Sequence, residues 1–303
     1  MNRMKTAALG TIATLVSTAA WATPEGAGKP TPGGHHFQTP VTPVMENIIW
    51  LDNFLHILMT LIVIFVTVLM LYACWKFSRK RNPEPTTTTH NTMIEVIWTA
   101  VPVVILVIIA IPSLKLLFLQ LEVPEPDLTI KATGVQWGWS YEYPDEGIEF
   151  DSYMIGSPSM EIPDALADEE FQLNYAMNDG VRKLLDHYGY SEEEFLLATD
   201  YRIVVPVDAV VHLLVTASDV IHAWTIPSFG SKIDAMPGRI NETWFKAEEI
   251  GTYFGQCSEL CGQAHTYMPI VVEVVSQEDY ETWVLETASN DAEQKTKVAR
   301  ASQ

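Results

Sequence analysis

Residues 53–75 read NFLHILMTLIVIFVTVLMLYACW, a run of 23 residues without Asp, Glu, Lys or Arg. As an α-helix rising about 1.5 Å per residue, this run can cross a hydrocarbon layer of about 30 Å. A second run of 19 such residues, 96–114, follows a short connection. Two core helices of a soluble protein are the alternative, but uncharged runs of this length are typical of membrane spans. The sequence therefore predicts a transmembrane helical hairpin over residues 46–121.

Charged residues around the two runs predict how the hairpin lies in a bacterial inner membrane. The connection between the runs carries four basic residues: Lys76, Arg79, Lys80 and Arg81. Short basic connections stay in the cytoplasm, so both ends of the mature chain are expected on the periplasmic side. Residues 1–22 agree with this orientation, because a basic start, an apolar run and a final AWA are typical of a cleavable signal peptide.

The chain beyond the hairpin has the pattern of a separate domain. Short alternating segments rich in β-branched and aromatic residues recur there, including QWGWSYEY at 136–143 and YMPIVVEVV at 267–275. They predict an all-β domain over residues 122–285, a small antiparallel sandwich or barrel with Greek-key connections. Residues 23–45 are expected to form an extracytoplasmic loop, and residues 286–303 a C-terminal tail.

One segment interrupts the β pattern. Residues 161–194 hold ten acidic residues against Arg182 and Lys183, and VRKLLDHYGY within them has helical spacing. We therefore expect an acidic helical insertion, with Ser191 and Glu194 forming a capping box. The whole chain has a formal net charge of −20, which favours a basic protein partner and argues against nucleic acid.

Two cysteines, a histidine and a methionine lie close together in the stretch CSELCGQAHTYM. In an exported protein, a C-x3-C pair alone is more typical of a disulfide. Here, however, His265 and Met268 share the loop with Cys257 and Cys261, and His222 precedes it in DVIHAW. Thiolate, imidazole and thioether ligands together favour copper or zinc over hard cations.

The number of soft ligands indicates more than one metal ion. A structural zinc ion is satisfied by two cysteines and two histidines and gains nothing from a methionine. A mononuclear electron-transfer copper needs one cysteine, so the second is best explained if both thiolates bridge two coppers. Each copper would take one histidine, with Met268 as one weak axial ligand and the backbone carbonyl of Glu259 as the candidate for the other. Such a centre transfers electrons and does not turn over a substrate.

These motifs together resemble a known family. The two-helix anchor, QWGWSYEY, DVIHAW, DAMPGR and CSELCGQAHTYMP are similar to subunit II of the haem–copper cytochrome c oxidases of bacterial aa3 type, over about residues 45–285. The resemblance implies a cupredoxin-like domain with the dinuclear copper A (CuA) centre. Its ligands would be His222, Cys257, Glu259, Cys261, His265 and Met268. The acidic insertion departs from the shortest members of the family.

The resemblance also implies how an electron donor is received. Trp137 would be the aromatic residue through which an electron enters from cytochrome c, although a strand tryptophan can equally be a packed core residue. Cytochrome c presents lysines, so its docking site should be acidic. The matching acidic positions, each of which could also be a solvated surface carboxylate, are Glu142, Asp151, Asp200 and Asp219.

Three further roles follow from the resemblance. The Glu259 carboxylate would bind a magnesium or manganese ion at the junction with subunit I. Asp234 and Arg239 of DAMPGR would help to build that junction; the plainer reading is a turn. Glu95, at the cytoplasmic start of the second span, would guard the entry to a proton path, or it is simply a solvated helix end.

The implied function is an electron relay in a proton-pumping cytochrome c oxidase. The CuA centre would take electrons from cytochrome c and pass them to a haem in subunit I, where oxygen is reduced to water. The 303 residues contain no C-x-x-C-H motif, so haem is expected only in the partner subunit. Subunit I, subunit III, cytochrome c and membrane lipids are the expected partners.

Three other classes of protein remain as alternative interpretations of the sequence. A membrane-anchored copper carrier or assembly factor needs exposed and exchangeable ligands, whereas these ligands are split between distant parts of a folded domain. A quinol oxidase subunit keeps the fold without copper, which the complete ligand set disfavours. Nitrous oxide reductase shares the dicopper loop, but a pair of amino-terminal membrane spans does not suit it.

Overall fold

The computed structural model describes residues 28–84, 86–167 and 169–288. The predicted signal peptide, residues 1–22, and residues 289–303 of the predicted tail lie outside them. Along the described chain, two long helices are followed by three strands, a segment with one short helix, seven strands and a last helix.

The two long helices form the predicted hairpin. Helix α1 covers Pro43–Lys76 and helix α2 covers Thr92–Leu121. The side chains of Thr42 and Asn91 accept hydrogen bonds from backbone N–H groups of the first turns at 3.1 and 3.2 Å. These caps satisfy groups that no helical carbonyl can reach. Both helices are long and apolar enough to cross a membrane.

Ten strands and several short helical elements make up the rest. The strands are β1 Leu128–Val135, β2 Gly138–Tyr143, β3 Ile148–Ser152, β4 Ile203–Pro206, β5 Val210–Ala217, β6 His222–Ile226, β7 Ser231–Ala235, β8 Asn241–Lys246, β9 Gly251–Gln256 and β10 Pro269–Val275. Helix α3 is Asp179–His187, and 3-10 turns cover Asp164–Leu166, Glu192–Glu194, Pro227–Phe229 and His265–Tyr267. A last helix, α4, covers residues 277–288 and therefore runs across the predicted start of the tail at 286.

The strands form two sheets and a two-stranded ribbon. The larger sheet has the order β3-β2-β1-β5-β8, the smaller has the order β4-β10-β9, and β6 pairs with β7. The all-β domain is confirmed, but the prediction that it is antiparallel is wrong in two places. Strand β1 pairs with β5, and β4 with β10, in parallel. Alternation of side chains along a strand does not show the direction of its neighbour, and parallel neighbours need long crossovers.

Large aromatic side chains fill the core of the domain. Trp139, Tyr141, Trp224, Phe229 and Phe245 are each at most 1% exposed. Along β1 and β5, buried residues alternate with partly exposed ones, as expected where one face of a sheet lies on a core. Burial of one large apolar side chain stabilises a fold by roughly 1.5–3 kcal/mol before conformational entropy is subtracted.

The hairpin is attached to the β-domain near both of its outer ends. At the start of α1, Thr42 Oγ1 donates a hydrogen bond to the Phe229 carbonyl at 2.7 Å, and Met45 is buried. At the end of α2, Trp244 Nε1 donates to the Leu119 carbonyl at 3.1 Å. The segment predicted to be loop up to residue 45 thus ends in helix and in contact with the domain.

The acidic insertion is less helical than predicted. Among the described residues of this segment, 161–167 and 169–194, only α3 and two 3-10 turns are helical. Helix α3 buries Val181, Leu184 and Leu185 in a second apolar cluster, which includes Phe254 of β9. The insertion is therefore packed onto the smaller sheet.

The end of the insertion has the predicted capping box. The Glu194 carboxylate accepts hydrogen bonds from the Ser191 backbone N–H at 2.7 Å and from the Ser191 hydroxyl at 2.8 Å. Glu194 also forms an ion pair with Lys29. The chain just before the hairpin is thereby joined to the insertion.

Candidate metal centre

The metal-ligand candidates lie on two segments that the sheets bring together. The antiparallel pair β9 and β10 closes the chain between them into a loop, whose ends are joined by a hydrogen bond from the Cys257 N–H to the Met268 carbonyl at 3.0 Å. The Ser258 N–H donates to the Ala223 carbonyl at 3.1 Å. Because His222 precedes Ala223, this bond holds the histidine beside the loop.

The five side chains singled out in the sequence meet at one place. Cys257 Sγ lies 3.9 Å from His222 Nδ1 and 3.9 Å from Cys261 Sγ. Cys261 Sγ lies 3.5 Å from His265 Nδ1 and 3.5 Å from Met268 Sδ. The two sulfurs therefore face each other, and each has its own histidine.

The spacing fits metal coordination and not a disulfide. Both cysteines are free, and sulfurs 3.9 Å apart are far beyond an S–S bond of about 2.05 Å. Two ligand atoms that share one tetrahedral ion at about 2.0–2.3 Å are about 3.3–3.8 Å from each other. The distances of 3.5–3.9 Å around the two thiols are close to that separation, so these residues could hold soft metal ions.

The two thiols are buried and differ in acidity. Cys257 and Cys261 are 6% and 3% exposed. Burial raises the pKa of the Cys257 thiol, but hydrogen bonds with His222 and the Ala223 backbone outweigh burial and lower that pKa to about 7. Burial and the neighbouring Cys257 raise the pKa of the Cys261 thiol to about 12. A metal ion bound here would take the place of the thiol protons, because cysteine binds metals as the thiolate.

One further candidate donor atom lies beside each cysteine sulfur. The Glu259 carbonyl oxygen lies 3.3 Å from Cys257 Sγ, whereas the Met268 thioether adjoins Cys261 and is 1% exposed. The Glu259 carboxylate is on the surface, and the neighbouring Leu260 is 78% exposed. The tip of the loop therefore faces away from the domain core.

Asp219 orients the buried histidine. Its Oδ1 lies 3.0 Å from His222 Nε2, so Nε2 carries the proton and Nδ1 faces Cys257. The other carboxylate oxygen accepts from the Gln136 N–H at 2.7 Å. Burial lowers the pKa of His222, but the hydrogen bonds with Cys257 and Asp219 outweigh it and raise the pKa. A carboxylate behind a ligating imidazole fixes its tautomer and orientation.

Close packing also restricts the His222 ring. A Cβ at Gly134 of β1 would lie 2.7 Å from that ring, so only glycine fits there. The ring of Trp139 lies 6.0 Å from it, centroid to centroid. Trp139 is fully buried and is thus a core residue.

Trp137 touches the loop directly. Its side chain is partly exposed, and its Nε1 donates a hydrogen bond to the Cys261 carbonyl at 3.2 Å. The Gln136 amide donates to the same carbonyl at 2.8 Å. At Gly262, where φ is +122°, a Cβ would lie 3.1 Å from the Trp137 ring. Sequence reasoning missed Gln136, although its place in the QWGW motif was a usable signal.

The four acidic docking candidates differ in their surroundings. Asp151 is exposed, Glu142 forms an ion pair with Lys131 at 2.5 Å, and Asp219 is partly exposed beside His222. Asp200 is only 7% exposed.

The Asp200 carboxylate is hydrogen-bonded by backbone groups of the domain and is not open to a partner at the surface. Its Oδ1 accepts from the backbone N–H groups of Tyr153 and Tyr201 at 2.7 and 2.8 Å. Burial raises the pKa of this carboxyl to about 7. The carboxylate thus joins the chain after β3 to the chain before β4, which corrects its placement among the exposed docking acids.

Of the remaining candidates, Asp234 pairs with Ala223, the residue after His222, whereas Glu95 and Arg239 lie elsewhere in the described chain. Glu95 is in the first turn of α2, where its carboxylate accepts from the Asn91 N–H at 3.2 Å. The 26 residues from there to the end of α2 at Leu121 correspond to about 39 Å of helix. Asp234 and Arg239 are both exposed near the turn after β7.

Comparison with known proteins identifies the family of the chain. The family model "Cytochrome C oxidase subunit II, periplasmic domain" matches residues 128–170 and 183–275, and "Cytochrome C oxidase subunit II, transmembrane domain" matches residues 30–116. Cytochrome c oxidase subunit 2 of Cereibacter sphaeroides is 50% identical over 279 residues, which are 92% of this chain and 88% of that protein. The subunit 2 of Phytophthora megasperma is 42% identical over 82% of this chain and 85% of its own length.

A solved structure is also similar. The crystal structure of the periplasmic domain of subunit II of cytochrome oxidase (CoxB) of Bradyrhizobium japonicum is 44% identical, covers 56% of this chain and 99% of that chain, and has a TM-score of 0.43.

The hairpin, the β-domain and the His–Cys cluster define a membrane protein with a cupredoxin-like, metal-binding domain. Matches across both of its parts place it more narrowly: the chain belongs to the cytochrome c oxidase subunit II family. It is thus the copper-binding subunit of a haem–copper oxidase. The carrier and quinol oxidase readings are not favoured.

Proposed function

We propose that this chain holds a dinuclear CuA centre and relays single electrons from cytochrome c to a haem in subunit I. The observation that carries this proposal is the paired arrangement of ligand atoms around two facing sulfurs. Cys257 has His222 and the Glu259 carbonyl beside it, and Cys261 has His265 and Met268.

The ligand set suits two copper ions better than one. His222, Cys257, Cys261, His265, Met268 and the Glu259 carbonyl would hold the two ions, and their sulfur and imidazole donors would favour copper. Copper bound in this way supplies a carrier of one electron. The protein keeps the ligands in place during electron transfer: Asp219 orients His222, while Gln136 and Trp137 hold the Cys261 carbonyl. Ligands that move little allow fast electron transfer.

Trp137 is the proposed point of electron entry. It combines a partly exposed ring with a direct hydrogen bond to the backbone of a ligand residue. Glu142, Asp151 and Asp219 are the proposed acidic contacts for a lysine-rich cytochrome c, whose association should weaken as salt screens the charges. We assign Asp200 a structural role: it supports this surface by accepting hydrogen bonds from the backbone N–H groups of Tyr153 and Tyr201.

The tip of the ligand loop is the proposed junction with subunit I. Glu259 and Leu260 are exposed there and are therefore accessible to a partner subunit. The Glu259 carboxylate would bind magnesium or manganese, a hard cation that prefers oxygen ligands. Asp234 and Arg239 are assigned to the same junction.

The proposed arrangement in the membrane follows from the charges and lengths of the helices. The basic connection between α1 and α2 lies in the cytoplasm, so the metal centre and both mature ends lie in the periplasm. Glu95 then lies at the cytoplasmic end, as a proton-path entry into subunit I requires. Subunit III and membrane lipids are further partners. Residues 1–22 are assigned as signal peptide and 122–285 as the CuA domain.

Metal content and electron paramagnetic resonance of the full-length chain in detergent test the proposal. Two coppers per chain, with one unpaired electron shared equally by two copper nuclei, are the expected result. Replacement of Cys261 by serine should leave at most one copper and the hyperfine pattern of a single nucleus. One copper in the unaltered chain, or metal that exchanges freely with a chelator, would instead favour the carrier function.

A further inference from the structure

A pair of stacked rings is one contact between the acidic insertion and the ligand loop. Tyr175 of the insertion stacks on Tyr267, with ring centroids 4.7 Å apart and 11° between the ring planes. Tyr267 stands between the two ligands of the second half of the site, His265 and Met268. A displacement of Tyr267 would therefore move both of them.

The backbone at Tyr175 is held in an uncommon conformation. Its φ is +60°, in the left-handed region that residues with a Cβ rarely adopt. The Tyr175 N–H donates to the Gly156 carbonyl at 2.9 Å, which ties this turn of the insertion to the chain after β3. Residues that keep such a conformation are held by their surroundings and are concentrated at functional sites.

The ligand turn itself has few internal bonds. Its 3-10 turn covers only His265–Tyr267. Backbone hydrogen bonds within it run from His265 to Gly262 at 3.4 Å and from Tyr267 to Ala264 at 2.9 Å. A short turn with one long bond gains order from an external contact.

The contact comes from a segment outside the common family pattern. The family model for the periplasmic domain omits residues 171–182, which include Tyr175. Both Tyr267 and the insertion residues Leu173 and Met177 pack against the second apolar cluster. Apolar residues of the insertion are thus packed on the same cluster as Tyr267 of the ligand loop.

We propose that Tyr175 is a positioning residue for the metal centre. By stacking on Tyr267 it holds the turn with His265 and Met268 in its ligating arrangement while metal is absent, and it slows the opening through which metal is lost. The identity of that metal rests on the proposed function, but the holding of the turn does not. This also gives the insertion a role: it closes one side of the site.

The first test is hydrogen exchange of the metal-free, full-length chain in detergent. Tyr175→Ala should speed exchange in the peptide that contains residues 262–268 by roughly two- to tenfold, the range that corresponds to the loss of one aromatic stack. Tyr175→Phe keeps a ring and should exchange like the unaltered chain. Because no metal is present, this result does not depend on whether the site binds two coppers.

A matched control separates this contact from general loosening of the insertion. Phe171 is also in the insertion, and its ring packs against Gly180 of α3. Phe171→Ala should raise exchange in α3 and leave the ligand turn nearly unchanged. If Phe171→Ala and Tyr175→Ala affect the turn equally, the stack has no special part and the proposal fails.

The second test measures metal loss. The copper-loaded chain is mixed with excess chelator and the rate of copper release is followed. Tyr175→Ala should release copper roughly two- to tenfold faster and Tyr175→Phe at the unaltered rate. An unchanged rate and unchanged exchange in Tyr175→Ala would overturn the proposal. If the unaltered chain takes up no copper while the exchange result holds, the proposed function fails and the positioning role stands.

Discussion

The indole N–H of Trp137 donates a hydrogen bond to the backbone carbonyl of Cys261 at 3.2 Å. A partly exposed ring thus contacts the backbone of Cys261, whose side chain is buried. Gln136 supports the same carbonyl at 2.8 Å. Two hydrogen bonds to one carbonyl thus join the QWGW segment to the ligand loop.

Trp137→Phe should impair electron entry without loss of metal. Phenylalanine keeps an aromatic ring but cannot donate the hydrogen bond, and aromatic anchors at the centre of a contact surface contribute strongly to binding. We expect electron transfer from reduced cytochrome c to slow by roughly tenfold or more. Stopped-flow reduction of the assembled oxidase measures this rate, and copper analysis provides the control. Unchanged transfer would show that electrons enter elsewhere.

Asp219→Asn should weaken metal binding, whereas Asp151→Asn should not. Asp219 holds the proton on His222 Nε2, and loss of such a partner typically reduces metal affinity roughly 10- to 100-fold. Asp151 is exposed and should affect only the salt-dependent association with cytochrome c. Competition with a chelator measures the affinity. Equal copper affinity in the two variants would contradict the orienting role of Asp219.

Met268→Leu should retain copper but change its reduction potential. Leucine has nearly the volume of methionine, so the buried site can keep its packing, yet it removes the thioether beside Cys261. Redox titration with copper analysis tests this expectation. Complete loss of metal would mean that Met268 is a principal ligand and not a weak axial one.

Because Asp200 is buried, the free energy of unfolding of the domain should fall as pH rises from about 4 to about 7. Burial raises the pKa of its carboxyl to about 7 in the folded state, against about 3.9 in an unfolded chain. Between these values the folded state binds the additional proton, so ionisation increasingly favours unfolding and the effect levels off above pH 7. The loss should be a few kcal/mol at most.

Asp200→Asn provides the comparison. Asparagine can still accept the two backbone hydrogen bonds but does not titrate, so the free energy of unfolding of the variant should rise relative to the unaltered chain between pH 4 and 7. Denaturant titrations of both proteins across this range measure it. Parallel pH profiles would argue that the buried carboxylate is stabilised as an anion by its N–H donors.

Leu184→Ala should loosen the insertion from the smaller sheet. The side chain is fully buried in the second apolar cluster, and such truncations cost roughly 2–5 kcal/mol. Leu196→Ala is the matched control, since Leu196 is 49% exposed and should change stability by less than about 0.5 kcal/mol. Limited proteolysis within 161–194 reports the loosening, and similar cleavage of both variants would count against this packing.

Local sequence patterns were sufficient to predict a large part of the protein. The run at 53–75 predicts a membrane helix because its length and lack of charge are properties of the segment alone. Cys257, Cys261, His265 and Met268 could be selected as ligands because their chemistry and short spacing confine them to one loop. His222 lies 35 residues before Cys257. It could be added to the candidate ligands only because its imidazole is a suitable copper ligand.

Other features depend on neighbours that are remote in the chain. The parallel pairing of β1 with β5 and the burial of Asp200 follow from how the sheets and the insertion pack, which alternation along one strand does not encode. The same holds for Gln136 on the Cys261 carbonyl and for the stack of Tyr175 on Tyr267.

The sequence by itself therefore determined the membrane hairpin, the all-β domain and the chemical identity of the candidate ligands, since each depends on residue type and short spacing. The tertiary structure alone decided which candidate ligands face each other, which carboxylates are open to a partner and which ring of the insertion stacks on the ligand loop. These are distances of a few ångströms between segments up to 125 residues apart, and only the packing of the folded chain sets them.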